Sequence, residues 1–228
     1  MEQNRWKLKD VLVVLTIVFA GSYGFEYILY PGLISGFSTA QRYLFFGLLQ
    51  AFLFVVSVFA VVLYRYRGNL RQLGLGKNFS LLSISEGVLG GIGLFFTVLL
   101  SGLVISALTP VQPKLQPFAE LLLKAKTPFE VFVPFLIGGF LAPLGEEIYF
   151  RGFAYPVFKK KFGLVVGIIV SAVFFSALHF DFLRFFPLAV GGAGLAWLYE
   201  TSNSLITPIL AHSVWNLSML SLFYFALP

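Results

Sequence analysis

From Tyr43 to Tyr64 the chain carries no charged side chain. About 20 apolar residues in a helix span the hydrocarbon of a bilayer, so this run reads as a transmembrane helix. It is not isolated. Of the 228 residues, 58% are hydrophobic and only 11% are charged, against roughly 25% charged in a soluble domain. The same reading gives about seven membrane helices (range six to eight), near 11–30, 43–64, 87–108, 130–158, 163–180, 185–199 and 204–226. The expected class is an all-α polytopic integral membrane protein, with 1–228 forming a single transmembrane domain. The apolar run after Asp10 lacks a convincing cleavage site and is expected to remain as the first span. The sixth segment carries Gly191, Gly192 and Gly194 and is expected to be tilted, broken or closely packed. Between Thr109 and Thr127, the run Phe118 to Lys126 segregates apolar from charged residues and suits a short interfacial helix.

The absence of cysteine excludes disulfides, thiolate catalysis and cysteine metal sites. The net charge of +6 is no nucleic-acid footprint, because the cations sit mainly in short loops, where they set topology. With the N-terminus inside, the inner side holds Arg5, Lys7, Lys9, Arg65, Arg67, Arg71, Lys77, Arg151 and Lys159 to Lys161. The outer side holds Arg42, Lys114, Lys124, Lys126 and Arg184. Eleven against five favours a cytoplasmic N-terminus. The basic run at Lys159 is read as a topology anchor that also favours anionic headgroups.

Polar residues interrupt the apolar helices at three places. These are Glu146-Glu147-Ile-Tyr-Phe-Arg151, Phe175-Ser-Ala-Leu-His179 and His212-Ser-Val-Trp-Asn216, and they include both histidines of the chain. Residues four apart share a helix face, which pairs Glu147 with Arg151, Phe175 with His179, and His212 with Asn216. Depth permits them to meet. Glu147 lies about 14 residues before the basic turn at Lys159–Gly163 and His179 about 18 after it, hence ~21 and ~27 Å from it. His212 is less well matched, unless the last helix has a recessed start at Ser202-Asn-Ser204.

Intramembrane ionisable groups usually face an interior and act there. Glu147, paired with Arg151, is anchored and poorly basic, and both are read as supports that orient the site. Glu146 points about 100° away and suits general-base work, with His179 alongside to activate water. His212 and Asn216 offer hydrogen bonds on one face to a developing oxyanion. Together these groups describe amide hydrolysis. Blander readings stand beside these: an interfacial ion pair for Glu147–Arg151, packing for Phe175, and helix–helix adhesion for Asn216. Ser176 and Ser213 stand in no nucleophile-elbow context.

The three motifs EExxxR, FxxxH and HxxxN, in this order across 146–216, resemble the CPBP family. These are the CAAX-processing and bacteriocin-processing intramembrane proteases, also called the ABI family. The segment Gly145 to Phe153 is similar to the family's first motif, and Leu73-Gly-Leu-Gly76 to a stretch found in some members. The resemblance implies an all-helical membrane fold and endoproteolysis of a membrane-associated or prenylated protein or peptide. It implies Glu146 and His179 as water activators, and His212 and Asn216 as oxyanion donors. The family has been described both as metalloproteases and as glutamate-dependent hydrolases. Metal-free hydrolysis is favoured here, and if zinc were bound its ligands would be Glu146, His179 and His212. The expected location is a prokaryotic plasma membrane. A non-catalytic scaffold or bacteriocin-immunity protein of the same fold is the alternative. A transporter, with the same groups as a proton relay, lacks the inverted repeat that such folds carry.

Overall fold

The computed structural model describes residues 5–29, 35–76, 80–111 and 115–226. Among them are eight helices and no strand: α1 (Leu8–Ile28), α2 (Thr39–Arg65), α3 (Leu81–Leu108), α4 (Pro117–Lys124), α5 (Pro128–Phe162), α6 (Leu164–Ala177), α7 (Phe185–Ser202) and α8 (Ile206–Phe225). Five of them, α1, α2, α3, α5 and α8, are long and apolar enough to cross a membrane. Large apolar side chains such as Phe52, Leu89, Val165 and Ile169 point outward. A patch of that extent is a liability in water and the ordinary surface of a helix bundle in lipid. The protein is an all-α polytopic membrane protein.

All seven expected segments are helical, and the interfacial helix is α4. Two differ in detail. The sixth segment, α7, is regular and unbroken. Its glycines serve close packing instead, since a Cβ on Gly191 would lie 2.5 Å from the Trp215 ring. The fifth ends at Ala177, so His179 sits in the turn just beyond α6. The antiparallel hairpin of α5 and α6 turns at Gly163, whose φ of +80° favours glycine.

Helices α3 and α8 form the most extensive helix pair. Gly87 and Gly91, four residues apart on α3, admit the α8 backbone. A Cβ on Gly91 would lie 2.6 Å from the Ala211 carbonyl oxygen. Burial of apolar surface drives little association in lipid, so such small-residue faces let helices pack closely enough to adhere.

The basic end of the bundle is tied together by polar contacts. Asp10 pairs with Arg65 Nε at 3.2 Å and accepts a 2.6 Å hydrogen bond from the Tyr66 hydroxyl. That bond, with a smaller contribution from burial, raises the Tyr66 phenol above its ordinary value. Lys159 pairs with Glu200, which also accepts from the Tyr155 hydroxyl at 2.8 Å. The 3₁₀ turn Leu70–Leu73 and the loop to Gly76 fold back beneath the bundle. Gly74 (φ +82°) accepts at its carbonyl from Leu205 N at 3.1 Å, and Leu73 accepts from the Tyr199 hydroxyl at 3.2 Å. Ser204 and Leu205, which lead into the last helix, are fully buried.

Arg151, counted above among the inner charges, is fully buried inside α5 and does not contribute to topology. Lys77 and Lys114 lie outside the described residues.

Candidate active site

The path of α5 sets the site. This helix contains four prolines, at 128, 134, 143 and 156, and two π-helical turns, Ile137–Leu141 and Ile148–Ala154. Such turns add a residue per turn and recur at functional sites. In the first of them Ala142 N donates to Ile137 O. Position 143, which would serve Gly138 O in the same register, is a proline without an N–H. The Gly138 carbonyl is left without a helical donor, and Asn216 Nδ2 of α8 donates to it at 2.8 Å.

The second π-helical turn is buried throughout and carries Arg151. It is held from outside by α1 and by Trp6, two residues before that helix. Trp6 Nε1 donates to Phe153 O at 2.7 Å and its ring stacks on Phe153, while the Tyr149 hydroxyl donates to Val11 O at 3.0 Å.

Glu147 and Arg151 are paired as expected, Arg151 Nη1 donating to Glu147 Oε1 at 2.7 Å, with both side chains fully buried. The same Oε1 accepts from His212 Nδ1 at 2.8 Å. Arg151 Nη2 donates to the Gly192 carbonyl at 3.1 Å, and its guanidinium lies 4.6 Å from the centre of the Phe175 ring. Burying two ions is costly unless their hydrogen bonds are met. Here a carbonyl, an imidazole and a π-face supply partners, while Glu147 Oε2 and Arg151 Nε are buried without one. Phe175 also contacts His179 and His212, at centroid distances of 4.6 and 5.8 Å. It packs, as expected of it, and the groups it packs are the charged ones.

The two histidines are held by different partners. His179 Nδ1 faces the Phe175 carbonyl oxygen at 2.8 Å. A carbonyl oxygen only accepts, so Nδ1 carries the proton and Nε2 of the neutral ring keeps its lone pair. His212 Nδ1 faces the carboxylate that pairs with Arg151, which places a proton on that nitrogen also. Its Nε2 then accepts hydrogen bonds in the neutral ring and donates only as imidazolium. The expectation of a donor from His212 therefore carries a condition that spacing did not reveal.

Glu146, His179, His212 and Asn216 line one cavity of about 620 Å³. Glu146 and Asn216 are half-buried, His212 is buried and His179 is exposed. The cavity has an apolar wall that includes Leu99, Leu103, Leu220 and Phe223, and a polar rim bearing Asp181 and Arg184, which pair at 2.6 Å. A larger, shallower depression of about 710 Å³ lies on the surface between Lys126 and Phe225. It contains none of the motif residues.

Several of these contributors escaped sequence reasoning. Trp215 stacks on His212 with centroids 5.3 Å apart; its place three residues after His212, on the same helical face, was the available signal. The carbonyls of Gly138 and Gly192 had no side-chain signature, although Pro143 marked the first. Among the described residues no group of three His, Asp or Glu side chains is arranged to hold a metal ion. The zinc set Glu146, His179 and His212 thus draws no support from the geometry.

Fold and site together define a class: an all-helical integral membrane protein in which buried carboxylate, guanidinium and imidazole groups border an intramembrane cavity. Residues 128–218, the segment that carries all three motifs, match the model of the family described as Rce1-like, type II CAAX prenyl endopeptidase Rce1-like. The match lies within the CPBP and CAAX protease family that the motifs resemble. No curated protein and no solved structure matches the chain.

Proposed function

We propose that this protein is an intramembrane endopeptidase that cleaves a membrane-associated or lipidated polypeptide through a water activated by Glu146 and His179. The observation that carries the reading is that Glu146, His179, His212 and Asn216, from three separate motifs, border a single cavity in the segment that matches a protease family. In this reading a water donates to Glu146 and to His179 Nε2. Glu146 takes its proton as the hydroxide adds to the scissile carbonyl carbon. The oxyanion is met by the second N–H of the Asn216 amide, the first being held by Gly138, and by His212 as imidazolium. Collapse of the tetrahedral intermediate breaks the C–N bond, and Glu146 returns the proton to the leaving amine. Glu147 and Arg151 fix the orientation of His212 and touch no reacting atom. No step is routed through a metal.

The apolar wall of the cavity suits a lipid chain or apolar side chains of the substrate. The family's description points to prenylated CAAX proteins, and leader peptides or bacteriocins are compatible with the same chemistry. The surrounding membrane is proposed to be a prokaryotic plasma membrane, with the N-terminus inside on the strength of the loop charges alone, and the whole chain 1–228 is proposed to act as one domain.

The test is cleavage by purified protein in liposomes. Wild type and Glu146→Ala are incubated with a library of membrane-associated and lipidated peptides, and products are read by mass spectrometry. Cuts made by wild type and absent with Glu146→Ala are expected. An identical pattern with both folded proteins would move the assignment to a non-catalytic scaffold.

A further inference from the structure

The cavity extends toward one end of the bundle and not the other, and the charges distinguish the two ends. At one end lie nine Lys and Arg residues, at Arg5 to Lys9, Arg65 to Arg71 and Lys159 to Lys161. The pairs Arg65–Asp10 and Lys159–Glu200 bring the ends of α1, α2, α5 and α7 together there. At the other end the described residues include four, Arg42, Lys124, Lys126 and Arg184. Lys and Arg are retained on the cytoplasmic side of membrane proteins, so the first end is cytoplasmic.

Toward that cytoplasmic end the site is sealed. Below Glu147 and Arg151 lie Leu73, Phe153, Tyr155, Leu205, Tyr199 and Trp6, each 2% exposed or less. The Gly74 turn closes against Leu205 and Tyr199 with no room for a Cβ: one would lie 2.9 Å from the Tyr199 ring and 3.1 Å from Leu205 N. In the opposite direction the cavity continues past Glu146 and His179 to Thr109, Val111 and Gln116 and to the Asp181–Arg184 pair. Val111 is 59% exposed. Water and a polar backbone have a route from that end and none from the basic one.

We infer that the active-site cavity opens on the extracytoplasmic face, and that its substrate is a membrane-anchored polypeptide presented from that side. The reaction that supplies the substrate is then translocation across the membrane, and cleavage follows export. The substrate class rests on the proteolytic reading above, whereas the face rests on charge and packing alone.

The chain contains no cysteine, so single cysteines report position without background. Val111→Cys, at the cavity mouth, and Lys161→Cys, at the basic end, are expressed separately in intact cells and treated with a membrane-impermeant maleimide. Labelling of Val111→Cys in sealed cells, and of Lys161→Cys only after permeabilisation, is expected. The reverse pattern overturns the inference. In parallel, a peptide that the solubilised enzyme cleaves is fitted with an impermeant fluorophore and supplied to sealed right-side-out and inside-out vesicles. Cleavage in the right-side-out preparation alone supports presentation from outside, and cleavage confined to inside-out vesicles overturns it. If no peptide is cleaved even in detergent, the proteolytic reading falls and the substrate class with it, while the maleimide pattern still decides the face.

Discussion

Glu147 shows most clearly how a residue's role is set by its partners. One of its oxygens accepts from both Arg151 and His212, and its side chain is fully buried. Removing one member of a buried ion pair leaves the other charge uncompensated, at about 3–5 kcal/mol. Glu147→Gln is therefore expected to lower the unfolding temperature in detergent sharply. Combining it with Arg151→Met should recover part of that loss, because the stranded cation is gone. The two substitutions should be non-additive, and additive losses would show that the pair is not coupled. Asn216→Ala removes one of the two donors proposed for the oxyanion and leaves His212. It is expected to reduce kcat by about 10²–10³-fold with KM little changed, measured on any peptide the wild type cuts. The Glu147–Arg151 pair was legible because i,i+4 neighbours are a local property of one helix. The bond from Glu147 to His212 joins residues 65 positions apart, and no spacing encodes it.

At the scale of elements, helix α5 and the α3–α8 contact make opposite demands. The contact needs a smooth, narrow face. Gly91→Val would drive branched atoms into the α8 backbone near Ala211 and Val214. Overpacking of this kind costs about 1–3 kcal/mol, expected as a lower thermal midpoint and as loss of activity through displacement of His212. Helix α5, by contrast, uses an imperfection. Pro143→Ala restores an N–H near the Gly138 carbonyl, where it competes with Asn216. The expected result is a protein at least as stable in thermal unfolding but slower in peptide cleavage, a separation that a purely structural proline would not produce. Apolar run length located the seven membrane segments, because lipid favours long apolar runs in each independently, whereas α4 was located by the segregation of its apolar and charged residues. It could not locate the π-helical turns, which depend on what neighbouring helices offer to the carbonyls that are released.

Over the whole molecule, the loop after α2 determines how deep the last helix begins. Gly74 holds a left-handed φ and contacts both Tyr199 and the Leu205 amide. Gly74→Ala meets a conformation that costs an L-residue about 1–2 kcal/mol, with a collision in addition. The shift is transmitted to His212 through the start of α8. The expected outcome is a fall in cleavage rate larger than the fall in thermal stability would explain, checked by comparing both in one preparation.

The order of residues alone determined that the chain is a helical membrane protein, where its spans lie, which end is basic, and which polar residues interrupt the apolar helices. Each of these follows from hydropathy, charge or helical period, which are properties of short windows. Only the tertiary structure decided that Glu147 serves His212, that Gly138 and Gly192 lend their carbonyls to the site, and that the cavity is closed toward the basic end. Those outcomes depend on contacts such as Trp6 with Phe153 and Leu205 with Gly74. They exist only once distant helices have packed, because a buried polar group in lipid takes its partner from whichever helix reaches it.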